Sequence, residues 1–239
     1  MKEEDFNRIF EKYKSVLGID ISKEQYHELY YYMKNLLEWN TKINVTSITD
    51  EEEFIEKHLV DSLTVNKYLK NSNSIIDIGT GAGFPGIPLK IVNKSKKITL
   101  IDSVGKKLKV IENINEDLKL PNLEIIHTRA EELANNKKYR EKYDVSVTRA
   151  VSNMATLMEY MLPFVKVDGI AICMKGPNYE NELKEAEKAI KILGGKISCI
   201  DKIKINENIN RNIIIIKKVK ETPTKYPRKP GKPLKEPIN

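Results

Sequence analysis

The glycine-rich stretch at residues 74–86, SIIDIGTGAGFPG, constrains the fold of this chain more than any other segment. Its isoleucines predict a short buried strand, which Asp77 interrupts. Gly79, Gly81 and Gly83 follow at every second position, so the backbone can turn sharply and a ligand can approach it without Cβ atoms in the way. The next residues can begin a helix, with prolines tolerable only in its first turn. A strand, a glycine turn and a helix start in this order predict a nucleotide-type cofactor site.

From residue 74 onward, strand-like and helix-like segments alternate, which predicts an α/β fold with a parallel sheet covered on both faces. The last two strands are joined by the polar loop at 206–210 and no helix, so we expect them to pair antiparallel. We therefore expect a Rossmann-like domain at residues 71–219, with seven strands and a final hairpin. The predicted strands are 74–79, 97–102, 123–127, 143–148, 168–175, 196–204 and 211–219.

Residues 1–70 predict a helical extension, because apolar side chains recur there at helical spacing. Ser22 with Gln25 forms one capping-box pattern, and Thr49 with Glu52 forms another at the start of a later helix. We expect these helices to cover a sheet edge or to contribute to a substrate surface.

The net charge of +7 is concentrated at the end of the chain. Residues 217–239 hold eight Lys or Arg and two Glu, and five of the ten prolines, which predicts a basic tail at 220–239 with neither a helix nor a central strand. A concentrated basic extension favours a polyanion partner, and a solubilising tail is the alternative. Tyr226 favours RNA, since an aromatic ring can stack on a base, and we take Lys225, Arg228 and Lys229 as RNA-binding candidates.

Several classes are disfavoured by composition. No apolar run reaches the ~18 residues that a membrane span needs. The start of the chain is acidic and amphipathic, unlike a signal peptide, so we expect a cytoplasmic protein. Cys173 and Cys199 lie in apolar runs, where we expect buried thiols. No Cys/His cluster has zinc spacing, so we expect no metal site, and nothing suggests an obligate dimer, so we expect a monomer.

Two later segments add to the predicted cofactor site. Asp102 ends the second strand, 23 residues past Gly79, where an acid can accept hydrogen bonds from both hydroxyls of an adenosine ribose. Its alternative role is a helix N-cap. The loop after the third strand contains Ala130 and Glu131, and in this topology a backbone amide there can read the edge of the adenine ring.

Two cofactor classes fit these residues. Gly81, Gly83 and Gly86 satisfy G-x-G-x-x-G, so a nicotinamide-dependent dehydrogenase must be considered. The longer pattern D-x-G-x-G-x-G, which begins at Asp77, is typical of S-adenosylmethionine enzymes, and an acidic strand end suits the ammonium group of that cationic ligand. The basic tail suits a nucleic acid as methyl acceptor. A third alternative for the function is a non-catalytic RNA-binding protein, which would bind no cofactor.

Several blocks of the chain carry a specific resemblance: EWNTKINVTSIT, HLVDSL, DIGTGAGFPGIPLKI, LIDSVGKK, RAEEL, TRAV and TPTKYPRKPGKP. They resemble the glucose-inhibited division protein B family, bacterial methyltransferases that act on guanine N7 in small-subunit (16S) ribosomal RNA. The resemblance covers nearly the whole chain. It implies a class I S-adenosylmethionine-dependent methyltransferase sheet, and 16S ribosomal RNA or the small ribosomal subunit as partner. It also implies that the residues lining the cofactor-binding site are Gly79, Phe84, Ala130, Glu131 and Arg149.

The residues at the predicted reacting centre agree with that target atom. Guanine N7 has an in-plane lone pair, so methyl transfer needs no prior proton removal, and alignment with charge stabilisation suffices. After the fourth strand the chain reads TRAV at 148–151, where amino-group methyltransferases carry D/N-P-P-Y/F. Cys173 lies inside an apolar strand, which disfavours a nucleophile. We assign no general base.

Charged residues near the strand ends are the remaining candidates. Arg149 closes the fourth strand, and we expect it to act in catalysis by contacting the cofactor or orienting the guanine. Lys175 ends the fifth strand at the same edge and is a candidate for neutralising a phosphate. His58 and Asp61 lie three apart on one helix face, a spacing that allows a hydrogen bond between them, and His58 is a candidate for substrate contact.

Overall fold

Seven strands form one mixed sheet in the computed structural model, which describes residues 1–149 and 152–238. The strand order is β3-β2-β1-β4-β5-β7-β6; the first five strands pair in parallel, and β7 runs antiparallel to both β5 and β6. The predicted seven strands and final antiparallel hairpin are confirmed. The strands are β1 (Ser74–Ile78), β2 (Lys97–Asp102), β3 (Leu123–His127), β4 (Tyr143–Arg149), β5 (Val165–Lys175), β6 (Gly195–Lys204) and β7 (Asn210–Lys218).

The helices cover both faces of this sheet. Side chains alternate between faces along each strand, so Ile75 and Ile76 enter different apolar layers. The helices are α1 (Glu3–Glu11), α2 (Lys14–Leu17), α3 (Lys23–Asn40), α4 (Glu51–Phe54), α5 (Asp61–Leu63), α6 (Gly86–Val92), α7 (Gly105–Leu118), α8 (Ala130–Leu133), α9 (Met154–Met161), α10 (Glu180–Ile192) and α11 (Lys232–Lys235), with a π-helix at Ile55–Val60 and 3-10 turns at Asn66–Leu69 and Leu162–Phe164.

The N-terminal helices share one apolar layer with α6, α7 and one face of the sheet. The capping box of Ser22 and Gln25 is confirmed at the start of α3. The second predicted capping box is wrong by one residue, because the Asp50 carboxylate caps α4 and accepts the amide of Glu53 at 2.8 Å. An aspartate is as good an N-cap as a threonine, and here it lies one residue closer to the helix.

The C-terminal tail, residues 220–238, differs from its prediction because it includes a helical turn, α11. Pro233 lies in the first turn of α11, where its missing N–H group costs nothing. The prediction for Cys199 is also wrong: Cys173 is buried, but Cys199 lies exposed on β6, the edge strand of the sheet. In the part of the chain that the structure describes, no helix is both long and apolar enough to cross a membrane.

Candidate active site

A cavity of about 570 Å³ lies at the carboxyl ends of β1, β2 and β4. This is within the usual volume of small-molecule sites, and the position is where open α/β sheets bind ligands. The structure brings together here most of the residues that the sequence predicted for the cofactor, and His58 as well. The predicted residues in the lining are His58, Gly79, Gly81, Phe84, Asp102, Ala130, Glu131 and Arg149.

The glycines of the loop after β1 serve two different purposes. Gly79 and Gly81 line the cavity with φ values of 70° and 59°. A Cβ atom on Gly81 would meet nothing within 4 Å, so a side chain there would extend into open space. A Cβ atom on Gly83 would instead lie 2.4 Å from the Tyr32 hydroxyl, and one on Gly86 would lie 2.1 Å from a Leu100 methyl group. Close packing, and not ligand approach, therefore requires the later two glycines.

Asp77 is not part of the cavity lining, and it stabilises the loop after β1 through hydrogen bonds. Its side chain is fully buried, and Oδ2 accepts hydrogen bonds from the Thr80 hydroxyl at 2.6 Å and the Gly86 amide at 2.8 Å. Burial raises the pKa of Asp77 to about 7, although both hydrogen bonds oppose the rise. The sequence predicts a contact between Asp77 and the ammonium group of a ligand. In the structure Asp77 is absent from the cavity lining, and its Oδ2 organises the turn instead.

Asp102 lies at the edge of the cavity, and its contact with a ribose stays a prediction. Its Oδ2 accepts the Gly81 amide and its Oδ1 accepts the Val104 amide, each at 2.8 Å. The alternative N-cap role is not observed, because α7 begins after Val104 without a side-chain cap. A carboxylate offers about four lone-pair sites, so Asp102 keeps capacity for further donors.

Arg149 ends β4 and is held by acceptors from the π-helix region. Its Nη1 donates to the Lys57 carbonyl at 2.8 Å and lies 3.4 Å from Asp61 Oδ2, while its Nη2 lies 3.0 Å from His58 Nδ1. The guanidinium carbon lies 5.0 Å from the centre of the Phe84 ring, within range of a cation–π interaction. Arg149 is therefore a fixed positive charge at the edge of the cavity.

The protonation state of His58 follows from these contacts. A guanidinium group can only donate, so His58 Nδ1 must accept, and the ring proton resides on Nε2, which donates to Thr46 Oγ1 at 2.7 Å. Burial and the neighbouring Arg149 lower the pKa of His58 to about 3. The ring also stacks on Phe84, with centroids 4.4 Å apart. His58 is a neutral, immobilised side chain.

Asp61 binds two arginines and not His58, so the hydrogen bond that the spacing of the two helix residues allows is not formed. The Asp61 carboxylate is fully buried, and its Oδ1 accepts from Arg211 Nε at 2.8 Å. Burial raises the pKa of Asp61, while the two guanidinium groups oppose that rise. Sequence reasoning missed Arg211. The antiparallel direction predicted for its strand was the available signal, since it brings the start of β7 to this edge.

Two of the predicted substrate-binding cations are engaged within the protein, contrary to expectation. Lys175 is buried and donates to the Ser152 carbonyl and to Glu182, both at 2.7 Å, so its ammonium group is not presented to a phosphate. Arg228 forms an ion pair with Glu159, whose side chain is 1% exposed. Lys225 and Lys229 are exposed and stay candidates for RNA contact. Residues 150–151 of the TRAV segment lie outside the described residues.

The sheet order, the glycine loop after β1 and the acid at the end of β2 define a class I S-adenosylmethionine-dependent methyltransferase. The chain belongs to the GidB family, described as rRNA small subunit methyltransferase G, whose sequence profile matches residues 25–214. The ribosomal RNA small subunit methyltransferase G of Alkaliphilus oremlandii is 48% identical over 93% of this chain and 94% of its own length. The protein of that name from Clostridium novyi is 46% identical over 93% of each chain.

A solved structure shares the fold. A SAM-dependent O-methyltransferase from Thermotoga maritima superposes with a TM-score of 0.52 over 79% of this chain and 73% of that chain, at 15% identity. Family membership and fold confirm the predicted methyltransferase class and S-adenosylmethionine as its cofactor. They give no support to the dehydrogenase or to the non-catalytic alternative.

Proposed function

We propose that this enzyme transfers a methyl group from S-adenosylmethionine to N7 of a guanine in 16S ribosomal RNA, free or within the small subunit. We further propose that it acts as a cytoplasmic monomer. The observation that carries the proposal is the cavity at the ends of β1, β2 and β4, with Arg149 fixed at its edge. The family and the basic C-terminal tail support RNA as the substrate class.

The residues around the cavity suit this cofactor. Gly79 and Gly81 leave backbone without side chains beside the cavity, which suits the methionine part. Asp102 has lone pairs for the ribose hydroxyls, and the loop at Ala130 and Glu131 offers backbone amides for the adenine edge. When bound, S-adenosylmethionine supplies a methyl group on a positively charged sulfur. The protein then has to align the acceptor and keep water away.

The state of His58 supports a mechanism without a general base. Its Nδ1 lone pair is engaged by Arg149, and its Nε2 already carries a proton, so the ring cannot accept one from a substrate. Guanine N7 needs no such acceptor, because its lone pair is available in the plane of the ring. An exocyclic amine would have to lose a proton. His58 therefore cannot act as the base that an amino-group acceptor needs, which agrees with N7 as the methyl acceptor.

Arg149 is the residue that we assign to orienting the guanine. Three of its five N–H groups are accounted for by the contacts to Lys57, Asp61 and His58. The remaining donors can hydrogen-bond O6 of guanine, an acceptor beside N7 on the same edge of the base. A hydrogen bond to O6 would hold the N7 lone pair in line with the methyl group, so the role of Arg149 is alignment of the acceptor.

Methyl transfer itself tests the proposal. The enzyme is incubated with methyl-labelled S-adenosylmethionine and either 16S RNA or small subunits from a strain that lacks this gene, and the labelled nucleoside is identified. We expect 7-methylguanosine at one position, and the two arms show which form of the substrate is used. Label on an exocyclic amine or on another base, or no label in either arm, would contradict the proposal.

The salt dependence of RNA binding tests the basic tail separately. Replacing Lys225 and Lys229 by Gln removes two exposed charges and should reduce the log–log salt slope by about 1.4. Lys184 and Lys188, exposed on α10, are matched controls that should leave the slope unchanged. Equal slopes for the two double variants would exclude the tail lysines as phosphate contacts.

A further inference from the structure

The C-terminal tail reaches the wall of the cofactor cavity. Leu234 of α11 lines this cavity together with Tyr160 of α9, and it is 59% exposed. A leucine in this position offers apolar surface that a flat ring can cover on binding. It lines the same cavity as Ala130 and Glu131, the residues to which the proposed function assigns the adenine.

Contacts between the tail and the domain fix the position of this leucine. The Gly231 amide donates to Glu131 Oε1 at 2.9 Å, and the Pro233 carbonyl accepts the Thr156 hydroxyl at 3.0 Å. Glu131 is itself a buried cavity residue, at 4% exposure, so the tail is joined directly to the loop after β3. Farther back, Arg228 is paired with the buried Glu159. The tail is thus attached to the domain before and beside Leu234.

We propose that Leu234 is part of the binding site for the adenosine half of S-adenosylmethionine. The tail then serves as a wall of the methyl-donor site in addition to presenting lysines for RNA. This inference rests on the proposed function for the cofactor and for the adenine position. Its physical basis is the burial of the leucine methyl groups against the ring, which needs no polar contact.

Calorimetric titration with S-adenosylmethionine and with S-adenosylhomocysteine tests the inference, because the two ligands share the adenosine. We expect Leu234→Ala to weaken binding of both about five- to tenfold, since part of one leucine's apolar contact is lost. Leu234→Met, which keeps the apolar volume, should stay within about twofold. Lys235→Ala, on the same helical turn and exposed, is the matched control and should leave binding unchanged.

Thermal melting without ligand shows whether each variant is folded, and we expect all three to melt with the wild type because Leu234 is largely exposed. If the wild type binds both ligands and Leu234→Ala binds them equally well, Leu234 is not part of the site. If the wild type binds neither ligand, the proposed function fails, and this inference fails with it.

Discussion

Arg228→Ala tests whether the C-terminal tail is docked on the domain or is a solvated RNA-binding extension. Arg228 donates to both carboxylate oxygens of Glu159, with Nε–Oε1 at 3.0 Å and Nη2–Oε2 at 2.7 Å. Removing one partner of a buried ion pair typically costs 3–5 kcal/mol, because the other charge is left buried. Glu159 would keep the Arg228 amide, at 2.6 Å, so we expect about 3 kcal/mol, the lower end of that range.

The assay is thermal unfolding followed by circular dichroism. At roughly 2–4 °C per kcal/mol for a chain of this size, the variant should melt about 6–12 °C below the wild type. Arg228→Ala combined with Glu159→Gln should recover part of this loss, because the uncompensated charge is gone. Lys229→Ala, at the neighbouring exposed position, is the control and should melt within about 2 °C of the wild type. An Arg228→Ala variant that melts with this control would refute the docked tail.

Three further perturbations address the cavity. Gly81→Asp should abolish calorimetric binding of S-adenosylmethionine, since the side chain extends into the open space of the cavity. Aspartate tolerates the φ of 59° better than most residues, so thermal melting should show a folded variant, and a folded variant that still binds would contradict this role of the loop. Asp61→Asn should lower the single-turnover methylation rate more than cofactor affinity, because the charge between Arg149 and Arg211 is lost, and an unchanged rate would rule out positioning by Asp61. Because the pKa of His58 is about 3 when folded and about 6.5 when unfolded, only the unfolded chain gains this proton between those values. The wild type should therefore lose stability relative to His58→Phe as pH falls from about 6.5, and parallel pH profiles would refute the assignment.

The sheet and the position of the site follow from local sequence signals. The alternation of apolar strands with helices predicts all seven strands, and the absent helix at 206–210 predicts the antiparallel hairpin. The spacing of Gly79, Gly81 and Asp102 places the cavity correctly, because turn geometry and strand ends are properties of short segments. The capping box of Ser22 was predictable for the same reason.

Partners from distant parts of the chain could not be predicted in this way. Arg228 and Lys175 appear in the sequence as cations available to RNA. Tertiary packing brings Arg228 to Glu159, 69 positions earlier, and Lys175 to the Ser152 carbonyl, 23 positions earlier. His58 and Asp61 have the spacing of a local pair, but they do not bond to each other. His58 instead contacts Arg149, and Asp61 accepts a hydrogen bond from Arg211. Periodicity reports which face a residue occupies, and it carries no information on which distant side chain arrives there.

The reversed direction of β7 has a consequence for how the protein is made. Asp61 is translated early, yet Arg211, which pairs with it, is 150 positions later. Nascent chains fold from the amino end as they emerge, so of its two arginine partners Asp61 has only Arg149 until β7 has been synthesised. Chains that stop short of the last hairpin would lack Arg211 and leave Asp61 with one of its two ion pairs, next to Arg149 of the cavity wall.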